Sequence, residues 1–138
     1  MKRFTLITLF FVTTLAFFSS CKSDDGDTEV RKGFLTANIW ACERMSVNGG
    51  PNQVAQLPNE LHTFHTNGTY TRETFEEDGS RSEMKGRWEL KDKGRALRIF
   101  TDFFETTSSI RELNDNSLKI TRQDPDLIVE FDFVPVGK

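Results

Sequence analysis

The chain has 138 residues, 36% of them hydrophobic and 28% charged, and a formal net charge of −3 at pH 7. That length supports one domain with its own core. The mildly acidic balance, without a basic stripe, excludes the electrostatic footprint of a nucleic-acid binder, and two cysteines are too few for a disulfide framework.

Lys2 and Arg3 open the chain, Phe4 to Phe18 is apolar apart from threonines, and Ser19-Ser20-Cys21 follows. The apolar run is shorter than the ~20 residues a membrane span requires. A basic start, a short apolar stretch and small residues are the parts of a secretory signal. Phe18-Ser19-Ser20-Cys21 resembles the lipobox of bacterial lipoproteins, with Phe18 where that pattern usually has Leu. The resemblance implies a signal peptide over residues 1–20, a diacylglyceryl group on the Cys21 sulfur and cleavage before it. It places the protein on the outer membrane, lipid-anchored, at the cell surface or the periplasmic face. An ordinary signal with an incidental cysteine is the alternative. With Cys21 acylated, Cys42 has no intramolecular partner and reads as a small buried hydrophobe beside Ile39, Trp40 and Ala41.

Residues 21–32 are polar and charged apart from Val30 and are expected to form a lipidated, flexible tether. Asp24, Asp25 and Asp27 resemble the surface-export signal of Bacteroidota lipoproteins; a solvated spacer is the alternative. Gly33 to Thr36 is expected to form one turn at most.

From Ile39 onward, short runs rich in Thr, Ile, Val, Leu and aromatics alternate with turn signals such as Asn67-Gly68, Asp78-Gly79 and Lys93-Gly94. This spacing predicts an all-β domain over residues 33–138, with eight strands near 39–48, 60–66, 69–76, 82–91, 96–101, 106–113, 117–122 and 127–135. Turn lengths then set the register. Phe64 is expected opposite Tyr70, Arg72 opposite Met84, Trp88 opposite Ile99 and Leu90 opposite Leu97. A four-residue loop from Gln123 to Asp126 would pair Arg122 with Leu127, Ile120 with Val129 and Leu118 with Phe131. These pairings gather Phe64, Tyr70, Trp88, Leu97, Leu118 and Phe133 on one face. Ile110 and Leu113 have opposite parity, which predicts a bulge between them. Eight successive antiparallel strands with one apolar face are expected to close into an up-and-down barrel that leaves no sheet edge; a small β-sandwich is the alternative.

Asn38-Ile39-Trp40 resembles the G-x-W signature of lipocalins, with Asn38 in place of Gly. Phe64-x-x-Asn67-Gly68-Thr69-Tyr70 and Gly86-Arg87-Trp88-x-Leu90 resemble the hairpins of lipocalin-like domains in small bacterial lipoproteins. The resemblance covers roughly residues 33–136. It implies a lipocalin-like barrel that takes a small apolar or amphiphilic ligand.

In such a barrel the loops at 66–68, 92–95 and 114–116 share one end, which Trp40 and Trp88 are expected to plug. The loops at 49–59, 77–79, 102–105 and 123–126 share the open end. Tyr70, Arg72, Thr74, Met84, Phe104, Arg122 and Leu127 are the candidate ligand residues near that mouth. Arg72 and Arg122 would meet an acidic ligand group, or else pair with rim acids such as Asp102 or Asp124 or simply reach water. His62 and His65 fall on opposite strand faces, which makes them a poor metal pair. No nucleophile elbow, phosphate loop or dinucleotide motif occurs, so neither catalysis nor a cofactor is expected. The expected partners are the membrane, through the acyl chains, a small ligand, and an envelope protein. A side-chain-filled barrel serving as a subunit of an outer-membrane complex is the competing expectation.

Overall fold

A computed structural model describes residues 24–57 and 59–137. One helix, α1 (Asp24–Ala37), precedes eight strands: β1 (Ile39–Val47), β2 (Asn59–Phe64), β3 (Thr69–Phe75), β4 (Arg81–Lys91), β5 (Ala96–Thr101), β6 (Glu105–Asn114), β7 (Ser117–Asp124) and β8 (Leu127–Pro135). Each strand is antiparallel to its neighbour in sequence, and β1 pairs with β8, so the sheet is a closed barrel. A single 3-10 turn (Val54–Gln56) lies within the long β1–β2 connection.

The glycines at the hairpin tips take the left-handed backbone that these turns require: φ is +84° at Gly68 and +83° at Gly79. The registers they set place Phe64 opposite Tyr70, Arg72 opposite Met84 and Trp88 opposite Ile99, as expected. The β6 bulge falls between Ile110 and Glu112, so Ile110 and Leu113 both face inward and both are buried. The core also contains Leu35, Trp40, Tyr70, Leu97 and Leu118.

The last hairpin differs from expectation. The connection contains Pro125 and Asp126 alone, Asp124 pairs with Leu127, and Arg122 therefore meets Val129. Ile120 lies opposite Phe131 and Leu118 opposite Phe133. Pro125 suits the first central position of a tight turn, which allows the strands to pair two residues further than a four-residue loop would. A slip of two residues preserves the face of every side chain. The inward set therefore stands while each cross-strand partner moves by two.

The tether expectation is also corrected: residues 24–37 are helical. Thr28, Arg31 and Leu35 recur at helical spacing and face the barrel. Leu35 is fully buried, and its carbonyl accepts a hydrogen bond from Trp40 Nε1 at 3.0 Å. Arg31 Nε donates to the Gly94 carbonyl at 2.8 Å. Asn38 Nδ2 donates to the Asp115 carbonyl at 3.2 Å. The helix thus covers the end formed by the β2–β3, β4–β5 and β6–β7 loops, over Trp40. Trp88 seals the same end; it is buried and donates from Nε1 to the His65 carbonyl at 3.0 Å.

Candidate functional site

Above this plug the barrel is not filled. A cavity of about 570 Å³ opens toward the end formed by the β1–β2, β3–β4, β5–β6 and β7–β8 connections. Ligand pockets of small molecules span roughly 300–1,000 Å³. Most of the wall is apolar: Phe64, Leu97, Ile99, Leu118, Phe131 and Phe133, with Leu57 and Phe104 toward the mouth.

One side of the cavity is polar, and strand alternation builds it. Glu60, His62 and Phe64 share the inward parity of β2; Tyr70 and Arg72 share that of β3. The β2–β3 register sets His62 opposite Arg72 and Phe64 opposite Tyr70. His62 Nδ1 lies 2.7 Å from the Tyr70 hydroxyl, and its Nε2 lies 3.7 Å from Glu60 Oε2. The carboxylate beside Nε2 favours a proton there, which leaves Nδ1 to accept from the Tyr70 hydroxyl. The imidazole also meets the Phe133 ring edge-on, with centroids 5.1 Å apart.

Burial, helped by the Arg72 guanidinium, pushes the His62 pKa down to about 4. The ring is therefore neutral at pH 7. Burial holds the Tyr70 phenol well above its ordinary range, so it stays a hydrogen-bonding hydroxyl. Cys42 lines the same cavity; burial raises its thiol to about 11, and it donates to the Arg44 carbonyl at 3.3 Å. A thiol held protonated in this way is a poor nucleophile.

Arg72 is the central cation. Its Nε lies 3.5 Å from Glu60 Oε1, Nη2 lies 3.7 Å from Met84 Sδ, and the guanidinium sits 5.7 Å from the centroid of the Phe104 ring. The Glu60 contact is an ion pair without hydrogen-bond geometry, so Nε is buried with no hydrogen-bond partner. Thr106 Oγ1, also on the cavity wall, is buried in the same state. Buried polar atoms normally find partners; of the three orphans among the described residues, these two line the cavity, from β3 and β6, and mark places where a bound molecule can supply a partner. Arg122, on the wall formed by β7, donates from Nε to Asp124 Oδ2 at 3.1 Å. Both arginines thus have acidic neighbours, Glu60 and Asp124. Asp102 is not Arg72's partner.

Of the expected site residues, the structure brings Tyr70, Arg72, Phe104 and Arg122 together around the cavity. Thr74 donates to Glu60 Oε1 at 3.2 Å, and with Met84 it borders a separate surface cleft near Phe103. Leu127 is off the cavity: the two-residue turn carries it to the rim, where it is partly exposed. Phe103, beside Phe104 in the same loop, points outward and is 82% exposed. Cys21 lies outside the described residues. Glu60 and His62 were not anticipated as site residues. The available signal was their parity with Phe64, which assigns all three to the inward face.

No protein-family model and no curated protein matches the chain. Its fold is nevertheless shared with solved structures. A lipocalin-like protein from Bacteroides uniformis superposes with a TM-score of 0.58 at 16% identity, over 72% of this chain and 97% of that one. An uncharacterized protein from Bacteroides eggerthii gives 0.56 at 16% identity, over 72% and 98%. The domain is a lipocalin-like barrel, closed at one end by a helix and open at the other. At such identities the likeness concerns the fold alone.

Proposed function

We propose that this barrel binds a small, mainly apolar molecule with one polar or acidic end, and that a lipid on Cys21 holds it at the outer membrane. The cavity of about 570 Å³ carries the reading. An eight-stranded barrel can be filled entirely by side chains, and this one leaves room for a ligand. The apolar wall suits a hydrocarbon or ring body. The orphaned Arg72 Nε and Thr106 Oγ1 suit its polar end. The protein acts by binding rather than catalysis; what supports this is that His62, Tyr70 and Cys42 on the cavity wall are held in unreactive forms, a neutral imidazole, an un-ionised phenol and a protonated thiol.

Native mass spectrometry of the protein, extracted from its own cells in mild detergent, tests this. The expected result is a stoichiometric non-covalent adduct that Ser108→Trp removes, because Ser108 lies buried on the cavity wall. A folded protein that carries no adduct and fails to bind an apolar fluorophore would favour the alternative, an interaction subunit of an envelope complex. For the anchor, labelled fatty acid should enter the wild-type chain and not Cys21→Ser.

A further inference from the structure

We infer that the mouth of the barrel faces away from the membrane that anchors it, so the cavity exchanges ligand with the aqueous side and not with its own bilayer. The inference rests on the reading of Cys21 as the lipid-bearing residue; the rest is geometry.

Helix α1 runs across the closed end. Its last residues lead into β1, while Thr28 and Arg31 pack on the β4–β5 loop: a Cβ added at Gly94 would come within 2.9 Å of Arg31 Cδ and 3.5 Å of Thr28 Cα. In a ring of eight strands, β1 and β5 lie on opposite sides. The helix therefore spans the barrel's diameter and lies across its axis, so its first turn leads sideways past the rim of the closed end. At ~1.5 Å per residue, the four residues from Thr28 back to Asp24 add about 6 Å in that direction.

Cys21 precedes Asp24 by three residues. Even fully extended, three peptide steps of ~3.8 Å reach about 11 Å. The mouth is much further away. From Lys91 to Arg81, the eleven residues of β4 run from the closed end to the open end, about 33 Å along the strand for ten steps of ~3.3 Å. With a strand tilt of about 40°, this is about 25 Å along the barrel axis. An acyl chain that starts within about 17 Å of Thr28 on the closed end, about 6 Å of helix and about 11 Å of extended chain, cannot hold the open end against the same bilayer.

The surfaces agree with this placement. The exposed apolar side chains at the anchored end are the smaller Val30 on α1 and Val136 after β8, whereas at the mouth Phe103 in the β5–β6 loop and Leu127 and Ile128 at the start of β8 are exposed. These residues would be the natural membrane-inserting wedge of a barrel that drew ligand from lipid. Here they point away from the only bilayer that the anchor can reach.

The full lipidated chain, in phosphatidylcholine vesicles carrying a headgroup energy acceptor, provides the test. A fluorophore is attached at Asp115→Cys or at Phe103→Cys, each in a Cys42→Ala background. Vesicle flotation is measured in parallel for the wild type and for Cys21→Ser. The expected result is flotation that requires Cys21, with transfer several-fold stronger from position 115 than from position 103. Flotation with equal transfer, or with stronger transfer from position 103, overturns the orientation and leaves the anchor standing. Flotation that survives Cys21→Ser, or no flotation of the wild type, overturns the anchor and this inference together. Neither result touches ligand binding in the cavity.

Discussion

Replacing Trp88 by alanine isolates how much the plugged end contributes to stability. Trp88 is 5% exposed, meets Phe64 edge-on with centroids 5.8 Å apart, and donates to the His65 carbonyl at 3.0 Å. Removing a buried indole costs about 3–5 kcal/mol through lost transfer energy and the cavity left behind. The aromatic pair accounts for about 1 kcal/mol beyond buried area. The His65 carbonyl loses the indole N–H but keeps the Gly68 N–H at 2.9 Å, so the lost hydrogen bond adds about 1 kcal/mol or less. These terms overlap, and a total near 4–5 kcal/mol is a large fraction of the roughly 5–15 kcal/mol that holds a domain folded. In urea, with a slope of about 2 kcal/mol per molar, the midpoint should fall by about 2 M with the slope unchanged. Trp88→Phe keeps most of the ring and loses the N–H, and should cost about 1–2 kcal/mol. An unchanged midpoint for Trp88→Ala would refute the plug. A phenylalanine variant as unstable as the alanine one would refute packing as its source.

Three further outcomes follow from the structure. The imidazole of His62 takes up its proton near pH 4 when folded and near 6.5 when unfolded. Only the unfolded chain gains that proton as pH falls from about 6.5 to 4, so stability should drop by about 3 kcal/mol across that window. Urea titrations at stepped pH should show this slope flattened in His62→Gln. Gly94→Ala forces a side chain onto a backbone at φ +82° and against Arg31; it should destabilise by about 1–2 kcal/mol, and amide exchange should show the loss concentrated in α1. Arg72→Gln should weaken a fluorescent apolar carboxylate by about 10–100-fold, the worth of a charge-assisted hydrogen bond, while a neutral probe of the same shape keeps its affinity in a displacement titration. Equal losses for both probes would show that Arg72 shapes the pocket without contacting an acidic group.

The strands were legible because their signals are local. Glycine at Asn67-Gly68 and Asp78-Gly79 dictates where the chain reverses, and alternation dictates which side chains face inward; both act over a few residues. Closure followed from the same pattern, since eight strands with one apolar face leave two edges that pair best with each other. Tyr70, Arg72 and Arg122 were assigned to the cavity by parity and place along their strands, and Phe104 only as one of the loop pair Phe103-Phe104. Glu60 and His62 carried the same parity, yet polar residues on an inward face give no sign of their importance until their partners are known.

What the amino-acid sequence determined by itself was thus the strand positions, the inward face and the lipocalin-like class. Tertiary structure decided the rest. Helix α1 carries two glycines and few apolar residues, so its propensity is weak; it is stabilised by Leu35 beneath Trp40 and by Arg31 on Gly94, contacts 5 and 63 residues apart in the chain. The register of the last hairpin depended on β8 pairing with β1 as well as with β7. The empty volume above the plug is a property of packing among all eight strands. Hydrophobic pattern specifies which side chains point inward, but the space they leave is set by how closely distant parts of the chain approach each other.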